Sequence, residues 1–412
     1  MVLKTENILN YYYSFVFWQD GDKITLIEVN EMLEADLCKK IIDTLEKKGA
    51  MLGDTCTPPL VRPEGSSKKD ISDNLGKELL NFFENDVFSF TELLKVSSHE
   101  LENTLEFDLN KIYTGVALSS QKTVEKGSLI EEKLPKSTAK LTKELFRFFV
   151  WPWVKSSYFV SRGLLKPHGF PGDYVIVESM YEGNAKSTGL GYVYDIIFLN
   201  TQLCQGLRNR KDQMKQIFAN FVKLRKQKPL TILNVGCGGS RDLREVALPD
   251  SGKGFNIYLT DFDKRAIDFS IDHLSSKTSD TNWIPLNIDV KDLTSEEGIK
   301  KHKIASCDLI YSIGLFDYLP DRILIKLLEN LLVLLKDDGL LVFAHKDYTH
   351  YNPRIADWFC DWKYYSRTQQ DFETIFKSIG IDISTISFSR EKDGYIFFAH
   401  INKPIGTKTI KT

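Results

Sequence analysis

The chain has 412 residues, which predicts two or three domains at about 100–200 residues per domain. Hydrophobic residues make up 42% of the sequence and aromatic residues 12%, which is enough for packed cores and excludes wholesale disorder. The formal net charge of -2 gives no overall attraction to nucleic acid or to an anionic membrane surface, so we expect neither as a partner.

The six cysteines and seven histidines are scattered along the chain. No cysteines are paired at the spacing of a disulfide framework or a zinc site, and the histidines follow no metal-ligand spacing, so we expect no metal. The sequence shows neither a signal peptide nor a run of about 18 apolar residues that could span a membrane. These features predict a soluble, cytoplasmic protein.

The N-terminal region is predicted to be mostly helical after an initial hairpin. Residues 11–18 are rich in aromatic side chains, and residues 23–29 form a second apolar run after an Asp-Gly turn, which is typical of two β-strands. The aromatic cluster is interpreted as a core or a dimer face, with a substrate platform as the alternative. Apolar residues then recur at helical spacing over residues 31–48.

Residues 53–73 are dense in Pro, Gly, Ser and charged residues, which indicates a linker or mobile loop. Helical periodicity resumes over residues 75–96, and after a polar interval at residues 119–128 it returns over residues 141–159. We therefore predict an N-terminal helical domain, residues 1–160, that serves in dimerisation or partner binding.

A segment rich in Gly and Pro follows at residues 166–174, before a predicted helix at residues 175–181 and a long helix that ends near Leu224. The Gly-Phe-Pro-Gly-Asp-Tyr sequence within it has two interpretations. It is either a lid over a neighbouring site or a simple change of chain direction. We assign residues 161–228 to a helical lid and connector.

Residues 231–245 have the pattern of a strand, a glycine turn and a helix. Ile232, Leu233 and Val235 form the apolar run expected of a parallel strand that is buried on both faces. Three glycines, Gly236, Gly238 and Gly239, then allow a sharp turn and close approach to a ligand.

A second predicted strand ends at Asp261, about 25 residues after the first glycine, close to the spacing at which nucleotide-binding folds place a carboxylate on ribose hydroxyls. Arg241 stands where the third glycine of a dinucleotide fingerprint would fall. The pattern therefore favours a nucleoside without a pyrophosphate.

From here the sequence resembles a class I S-adenosylmethionine-dependent methyltransferase over about residues 230–402. Five motifs carry the resemblance in the family's order: residues 234–239, 259–263, 287–290, 308–315 and 336–345. The resemblance implies an α/β fold with a Rossmann-like seven-stranded sheet in a methyltransferase domain at residues 229–412. It also implies S-adenosylmethionine (SAM) as the cofactor.

The resemblance assigns roles to particular residues. It places the methionine part of the cofactor on the glycines, the ribose on Asp261, the adenine at Asp289 and the methionine end at the backbone of Ser312. The full set of predicted cofactor-binding residues is Gly236, Cys237, Gly238, Gly239, Asp261, Phe262, Asp289, Val290, Ser312 and Tyr194.

Residues 160–400 also resemble a bacterial group described as extracellular-factor 3-hydroxypalmitate methyl ester biosynthesis proteins, through the Gly-aromatic-Pro-Gly-Asp-aromatic sequence that precedes the core. This second resemblance implies methylation of a carboxylate on a fatty or hydroxy acid. The alternative acceptor is an amine, an amino acid or a guanidinium group.

The two acceptors require different partners. A carboxylate needs no base but should be held by a cation, for which the candidates are His345, Lys346, Arg367 and His168. An amine should be held by acids and lose a proton to one of them, for which the candidates are Asp173, Glu178, Glu182 and Asp317.

Asp317 follows the predicted fourth strand, where such enzymes place substrate contacts, although it could instead cap the next helix. We predict Asp317, Asp173 and His345 as catalytic. The predicted substrate contacts are Tyr174, Glu178, Tyr318, Tyr348, Tyr364 and Arg367.

The predicted function is therefore methylation of a small molecule. Two alternatives remain: a SAM-binding regulatory protein without turnover, and an enzyme that modifies a macromolecule. Aromatic residues at 358–365 are either core residues, which is the commoner role for a single ring, or a further candidate surface that holds substrate by cation–π contact, encloses the sulfonium or packs on an acyl chain.

Overall fold

The computed structural model describes residues 14–20, 23–29, 32–49, 73–104, 106–225, 229–246, 254–275 and 281–403. The predicted linker at residues 53–73 lies outside these ranges except for its last residue. The described residues form two compact units. Unit 1 consists of the described residues up to Pro171 together with Asn184–Thr201 and Pro353–Trp362. Unit 2 consists of Gly172–Gly183, Gln202–Asn352 and the described residues from Lys363 onward.

The strands are β1 (Ser14–Asp20), β2 (Lys23–Val29), β3 (Leu230–Val235), β4 (Phe255–Asp261), β5 (Thr281–Asn287), β6 (Cys307–Ser312), β7 (Leu335–Lys346), β8 (Ile386–Arg390) and β9 (Ile396–Asn402). The helices are α1 (Met32–Lys47), α2 (Asp73–Asn81), α3 (Phe88–Asn103), α4 (Leu109–Glu131), α5 (Lys136–Val154), α6 (Tyr158–Leu165), α7 (Tyr174–Glu182), α8 (Gly189–Leu199), α9 (Gln202–Leu224), α10 (Arg241–Glu245), α11 (Lys264–Leu274), α12 (Glu296–Lys301), α13 (Asp321–Leu334), α14 (Arg354–Cys360) and α15 (Gln369–Ser378). Phe82–Val87 is a π-helical turn, and Val290–Thr294, Phe316–Tyr318 and Ile383–Thr385 are 3₁₀ turns. No described helix is both long enough and apolar enough to cross a membrane.

The N-terminal hairpin is confirmed, because β1 pairs antiparallel with β2 and places Trp18 opposite Thr25. The Asp-Gly turn itself lies outside the described residues. The polar interval at residues 119–128 does not interrupt helix formation: it lies within α4.

The predicted long helix is confirmed as α9, which ends at Leu224, but the residues that lead into it form a separate helix, α8. Helix α8 ends at Leu199 and α9 begins at Gln202. The intervening Thr201 hydroxyl donates to the Phe198 carbonyl (2.6 Å). Asn and Thr side chains compete in this way for backbone hydrogen bonds, which favours a break over a continuous helix.

Helix α14 lies at the centre of unit 1, although its sequence follows the methyltransferase motifs. The Trp358 ring contacts Phe146 and Phe82, with centroids 5.1 Å and 6.1 Å away. Lys143 on α5 forms ion pairs with both Asp357 and Glu131 at 2.7 Å. The aromatic residues Trp358 and Phe359 are therefore core residues of unit 1, and not the substrate surface that their position in the sequence suggested.

Unit 2 contains the predicted seven-stranded Rossmann-like sheet, which is confirmed. The strand order is β5-β4-β3-β6-β7-β9-β8. The first five strands are parallel, whereas β9 runs antiparallel to β7 and β8 antiparallel to β9. Every residue of β3 is buried, as expected for a central parallel strand.

Helices cover both faces of this sheet. Apolar residues of α13 and α15, such as Leu328 and Phe372, pack on one face. Met214 and Phe218 of α9, with Ile267 of α11, pack on the other face. Each helix buries one apolar stripe, so the unit is a three-layer α/β structure whose loops at the strand ends are left to form a site.

Two glycines of α4 give a test of packing in unit 1. A Cβ on Gly127 would lie 2.3 Å from Cη2 of Trp358 and 2.9 Å from Cζ of Phe82, whereas a Cβ on Gly115 meets nothing within 4 Å. We expect Gly127→Ala to destabilise the protein by about 1–3 kcal/mol through overpacking. Gly115→Ala should stabilise it by about 0.5–1 kcal/mol, since alanine is the better helix former. Urea unfolding followed by circular dichroism measures both, and equal effects would contradict the packing described here.

Candidate active site

The glycine turn follows β3 at the carboxyl edge of the sheet. The chain passes from β3 to β4 and β5 on one side, and then continues with β6 on the other side of β3. The strand order therefore reverses direction at β3. In open α/β sheets, the loops that follow the two strands at such a point form a crevice, and ligands bind there. The turn after β3 and the loop after β6 therefore flank the expected site.

The backbone of the turn requires glycine. Gly236 and Gly238 have φ angles of 68° and 51°, in the left-handed region that favours glycine. A Cβ on Gly239 would lie only 2.5 Å from Oε1 of Glu178. The turn thus presents backbone, without side chains, to a ligand.

Helix α7 packs on this turn through Glu178. The carboxylate is buried and forms an ion pair with Arg241 (3.1 Å) and another with Arg244, both of which follow the turn in sequence. At the start of the same helix, the Tyr174 ring lies 5.1 Å from that of Phe269 on α11. The structure therefore brings the predicted substrate residue Glu178 to the glycine turn, where arginine neutralises it, and Tyr174 to α11.

Asp261 ends β4 and connects two loops. Its carboxylate accepts hydrogen bonds from the N–H groups of Gly238 (2.9 Å) and Asp263 (3.0 Å). Burial raises the pKa of the Asp261 carboxyl, and these two bonds oppose the rise. The Asn287 amide donates to the carbonyl oxygens of Asp261 (3.0 Å) and Phe262 (2.8 Å), which ties the loop after β5 to the loop after β4.

Asp289 and Val290 follow Asn287, whose side chain joins the two loops. The Asp289 side chain is exposed and accepts from the N–H of Lys291 (2.9 Å), so it caps the 3₁₀ turn that begins at Val290. The side chain of Phe262 is also exposed, at 56%. The structure therefore places the predicted ribose and adenine contacts together at one end of the crevice.

Cys237 and Ser312 are buried beside the turn. The Cys237 N–H donates to the Thr260 carbonyl (2.9 Å), and burial raises the pKa of its thiol, so the side chain remains a neutral packing group. The Ser312 hydroxyl, at the end of β6, is buried and has no hydrogen-bond partner among the described residues. A buried hydroxyl without a partner costs about 1–3 kcal/mol, so this position fits a polar group of a ligand.

Asp317 lies in the 3₁₀ turn after β6 and forms a buried ion pair with Lys346 at the end of β7. The Lys346 ammonium donates at 2.6 Å and its backbone N–H at 3.1 Å. Burial by itself would raise the pKa of the Asp317 carboxyl, but the Lys346 charge and these hydrogen bonds hold it well below its usual range. Asp317 is therefore ionised and does not cap α13, which begins at Asp321.

Four tyrosines form a cluster around Lys346. Its Nζ atom lies 3.9 Å from the centre of the Tyr364 ring. The Tyr364 ring is 5.4 Å from that of Tyr318 and 6.1 Å from that of Tyr351, and Tyr351 is 5.9 Å from Tyr348. The structure thus brings together the predicted substrate residues Tyr318, Tyr348 and Tyr364, and adds Tyr351, which the sequence analysis did not select.

Arg367 holds the loop after β6 in place. Its guanidinium donates to the carbonyl oxygens of Phe316 (3.3 Å) and Leu319 (2.6 Å) and to the Asp321 carboxylate (2.6 Å). The Arg367 side chain is almost completely buried. These contacts give Arg367 a positioning role for the loop that carries Asp317, and its predicted contact with substrate stays a prediction.

His345 lies inside the core next to the ion pair. Its Nδ1 atom is 2.7 Å from the Lys346 carbonyl oxygen, and its ring is 4.8 Å from that of Phe372. Burial lowers the pKa of the imidazole, which favours the neutral form. The neutral ring would then donate from Nδ1 to that carbonyl, and its catalytic role stays a prediction.

Asp173 and Tyr194 each contact a residue of their own unit. The Asp173 carboxylate caps α7 by accepting from the N–H groups of Val175 (2.9 Å) and Ile176 (3.1 Å). Tyr194 belongs to unit 1, where its hydroxyl lies 3.3 Å from that of Ser120. The structure gives both residues a local structural contact, and their predicted catalytic and cofactor roles stay predictions.

Arg210 on α9 was missed by the sequence analysis. It is buried, and its Nη2 atom is 3.5 Å from the position of a Cβ on Gly314, in the loop after β6. Its charge also helps to lower the pKa of Lys346, after the larger effect of burial. The signal was available: Arg210 falls on the apolar face of its helix between Leu207 and Met214, where a charged residue is unusual.

Comparison with known proteins agrees with these features. Residues 207–383 match the family model described as a methyltransferase domain. No curated protein matches the sequence.

Several solved structures resemble the chain. The CurJ carbon methyltransferase is 11% identical, with a TM-score of 0.44, over 81% of this chain and 98% of that one. A possible exported protein from Bordetella parapertussis is 14% identical, with a TM-score of 0.44, over 77% and 96% of the two chains. The magnesium protoporphyrin IX methyltransferase of Synechocystis is 12% identical, with a TM-score of 0.37, over 49% and 87%.

The family match and the sequence of motifs along the sheet make residues 207–383 a methyltransferase domain, and the chain is an enzyme. The cofactor of this domain is S-adenosylmethionine, as the motifs predicted. The glycine turn, the Asp261 carboxylate and the unpartnered Ser312 hydroxyl fit the polar groups of such a cofactor.

Asp261→Ala should weaken binding of S-adenosylhomocysteine at least about tenfold, because a ribose contact worth about 1.5–3 kcal/mol is lost. Isothermal titration calorimetry on the full chain measures the affinity. Asp268→Ala, an exposed position on α11, is the matched control and should bind normally. Unchanged affinity in a folded Asp261→Ala protein would contradict the assignment of Asp261.

Asp317→Asn should destabilise the protein by about 3–5 kcal/mol, since it leaves the Lys346 charge buried without its partner. Because folding lowers the pKa of Asp317, the stabilisation by this group is present above its unfolded pKa of about 4 and is lost as the pH falls toward the folded value. Unfolding midpoints between pH 3 and 7 should therefore depend less on pH in the variant. Asp268→Asn removes an exposed ion pair and should change stability by no more than about 0.5 kcal/mol. Equal losses of stability in Asp317→Asn and Asp268→Asn would show that the buried ion pair contributes no more than an exposed one.

Proposed function

We propose that this enzyme transfers a methyl group to a carboxylate oxygen of a small fatty or hydroxy acid. The observation that carries the proposal is that Asp173, Glu178 and Asp317, which could hold a cationic acceptor, already have internal partners, whereas the buried cation Arg210 lies beside the loop after β6. Methylation of an amine or a guanidinium group is the alternative.

Three of the candidate acids are engaged within the protein. Asp173 caps α7, Glu178 is paired with Arg241 and Arg244, and Asp317 is paired with Lys346. A buried carboxylate that already holds a cation offers little attraction to a second one. This arrangement counts against an amine as the acceptor.

The tyrosine cluster supports the same choice. The face of a tyrosine ring can attract a cationic ligand, but the face of Tyr364 is already occupied by the Lys346 ammonium. Arg210 instead provides positive charge close to the loop after β6, whereas Lys346 shares its charge with Asp317. The tyrosine rings would pack against the apolar part of an acid, while the cations attract its carboxylate.

The residues that would hold the cofactor are the glycine turn, Asp261, Asp289 and Ser312. When bound, S-adenosylmethionine supplies an electrophilic methyl group on a sulfonium. A carboxylate is already anionic at neutral pH, so no residue of this chain has to remove a proton from it. The task that remains for Lys346, Arg210 and the tyrosines is to orient the acid and exclude water.

Other predictions are retained as parts of this proposal. Residues 161–228 would act as a lid and connector, and residues 1–160 as a dimerisation or partner region. Four cysteines, Cys204, Cys237, Cys307 and Cys360, are free thiols, in keeping with action in a reducing compartment such as the cytoplasm.

The proposal predicts the type of bond that forms. With SAM carrying a tritiated methyl group and a set of hydroxy and fatty acids, we expect labelled product that releases volatile methanol in mild alkali, because esters hydrolyse there and N-methyl groups do not. The same incubation with a set of amines should give no label above background. Label that survives alkali, or label found only in macromolecules, would contradict carboxylate methylation.

Arg210→Gln should raise the KM for the acid about tenfold or more, through loss of a charged hydrogen bond worth about 1.5–3 kcal/mol. The KM for SAM should change little. Arg208→Gln on the same helix is the matched control, since Arg208 is half-buried and donates to the Met180 carbonyl (3.3 Å). A rise confined to the KM for SAM would assign Arg210 to the cofactor and contradict this role.

A further inference from the structure

The glycine turn after β3 is held by side chains from three helices of unit 2. The Ser270 hydroxyl of α11 donates to the Gly238 carbonyl (2.7 Å), and the Arg244 Nε–H of α10 donates to the Gly239 carbonyl (2.8 Å). The third helix is α7, whose Glu178 carboxylate lies against the turn. The conformation of the turn is therefore set in part by residues outside the first cofactor motif.

The position of Arg244 depends on Glu178. The guanidinium forms an ion pair with the Glu178 carboxylate, and the two side chains are only 11% and 10% exposed. The Arg244 Cζ atom also lies 5.0 Å from the centre of the Phe269 ring on α11. A buried charge pair and a ring face together restrict the orientation of a guanidinium. Glu178 thus orients the group that donates to the Gly239 carbonyl.

Glu178 also contacts the turn directly. A Cβ on Gly239 would lie 2.5 Å from Oε1, 3.1 Å from Cδ and 3.3 Å from Cγ of Glu178, and these are the three heavy atoms nearest to it. Gly236 and Gly238 have positive φ angles, whereas Gly239 does not. The backbone at 239 would therefore accept an alanine, and the contact that opposes one is with Glu178.

The Glu178 carboxylate is itself restrained by a chain of alternating charges. Arg241 lies 3.1 Å from Glu178 Oε2 through Nη1, and its Nε–H donates to Glu245 (2.5 Å). Glu245 also accepts from Lys211 (2.5 Å) and Lys215 (2.9 Å), both on α9. Satisfied polar networks of this kind make a site more rigid. The network therefore joins α7, α9 and α10 beside the turn.

The sequence motifs do not account for this arrangement. Glu178 lies 63 residues before Arg241, and α7 precedes residues 207–383, which match the methyltransferase family model. The contact with Gly239 is therefore made by a helix outside the matched domain, although both belong to the same compact unit.

We propose that Glu178 is a positioning residue for cofactor binding. Through Arg244 it holds the Gly239 carbonyl, and by direct contact it supports the backbone of the turn. A turn that is already fixed loses less conformational freedom when a ligand binds, so the affinity is higher. The proposal rests on S-adenosylmethionine as the cofactor and is independent of the methyl acceptor.

The first experiment measures the binding of S-adenosylhomocysteine to the full chain by calorimetry. Glu178→Gln keeps the size of the side chain but removes the charge that orients Arg244. We expect the affinity to fall at least about tenfold, as it does for metals when a residue that orients a ligand is lost. Glu296→Gln, which removes an acid from the exposed pair with Lys300 on α12, is the matched control and should bind normally.

Thermal melting of each variant separates positioning from a purely structural role. A Glu178→Gln protein that melts at a lower temperature but binds S-adenosylhomocysteine with wild-type affinity would overturn the proposal. If the unpaired Arg244 charge prevents folding, the double variant Glu178→Gln with Arg244→Gln removes both members of the pair. We expect at least about tenfold weaker binding in that variant as well, and wild-type affinity there would equally overturn the proposal.

A double-mutant cycle tests the direct contact. Gly239→Ala should weaken S-adenosylhomocysteine binding, because the new Cβ displaces the Glu178 carboxylate from Arg244. In a Glu178→Ala background the same alanine meets no carboxylate, so its further effect should be clearly smaller. Equal fold-losses from Gly239→Ala in the two backgrounds would show that position 239 acts independently of Glu178, and would contradict the proposed contact.

Discussion

The buried ion pair between Asp317 and Lys346 is the interaction on which the candidate active site depends. It joins the loop after β6 to the end of β7, and the Asp317 carbonyl also accepts from the Tyr365 N–H (2.8 Å). Two buried charges are costly to desolvate unless their hydrogen bonds are satisfied, so this pair favours one arrangement of the loop and penalises others. Arg367 supports the same loop through the Phe316 and Leu319 carbonyls. The tyrosine faces around Lys346 thus have a fixed charge at their centre.

Glu178 has a comparable effect on the glycine turn. It comes from α7, well before the first motif in sequence, and sits where any side chain at position 239 would collide with it. Its pairs with Arg241 and Arg244 neutralise the charge that this contact buries. The glycine at 239 is therefore required by helix packing as well as by ligand approach, which the motif alone does not reveal. Residues 172–183 belong to the same compact unit as the sheet.

The fold was largely predictable because its signals are local and ordered along the chain. The apolar run of β3, the glycines after it and Asp261 at the end of β4 identify the sheet and its cofactor edge.

Side-chain partnerships were less predictable, since they depend on which elements pack together. Asp173, Glu178 and Asp317 appeared in the sequence as available acids, yet the structure gives each an internal partner. Trp358 and Phe359 follow the fifth parallel strand, but α14 packs them into the core of unit 1. Arg210 was overlooked because its helix otherwise has an ordinary amphipathic pattern.

The two possible acceptors, a carboxylate and an amine, are distinguished by whether these acids stay available after folding. An enzyme for amines needs carboxylates that remain available after folding, whereas one for acids needs cations that are not fully neutralised. Lys346 shares its charge with Asp317, and Arg210 adds a second buried cation whose charge disfavours the protonated lysine. Under the proposed function, an acceptor carboxylate would add negative charge beside Arg210, whereas a protonated amine would add a positive charge there.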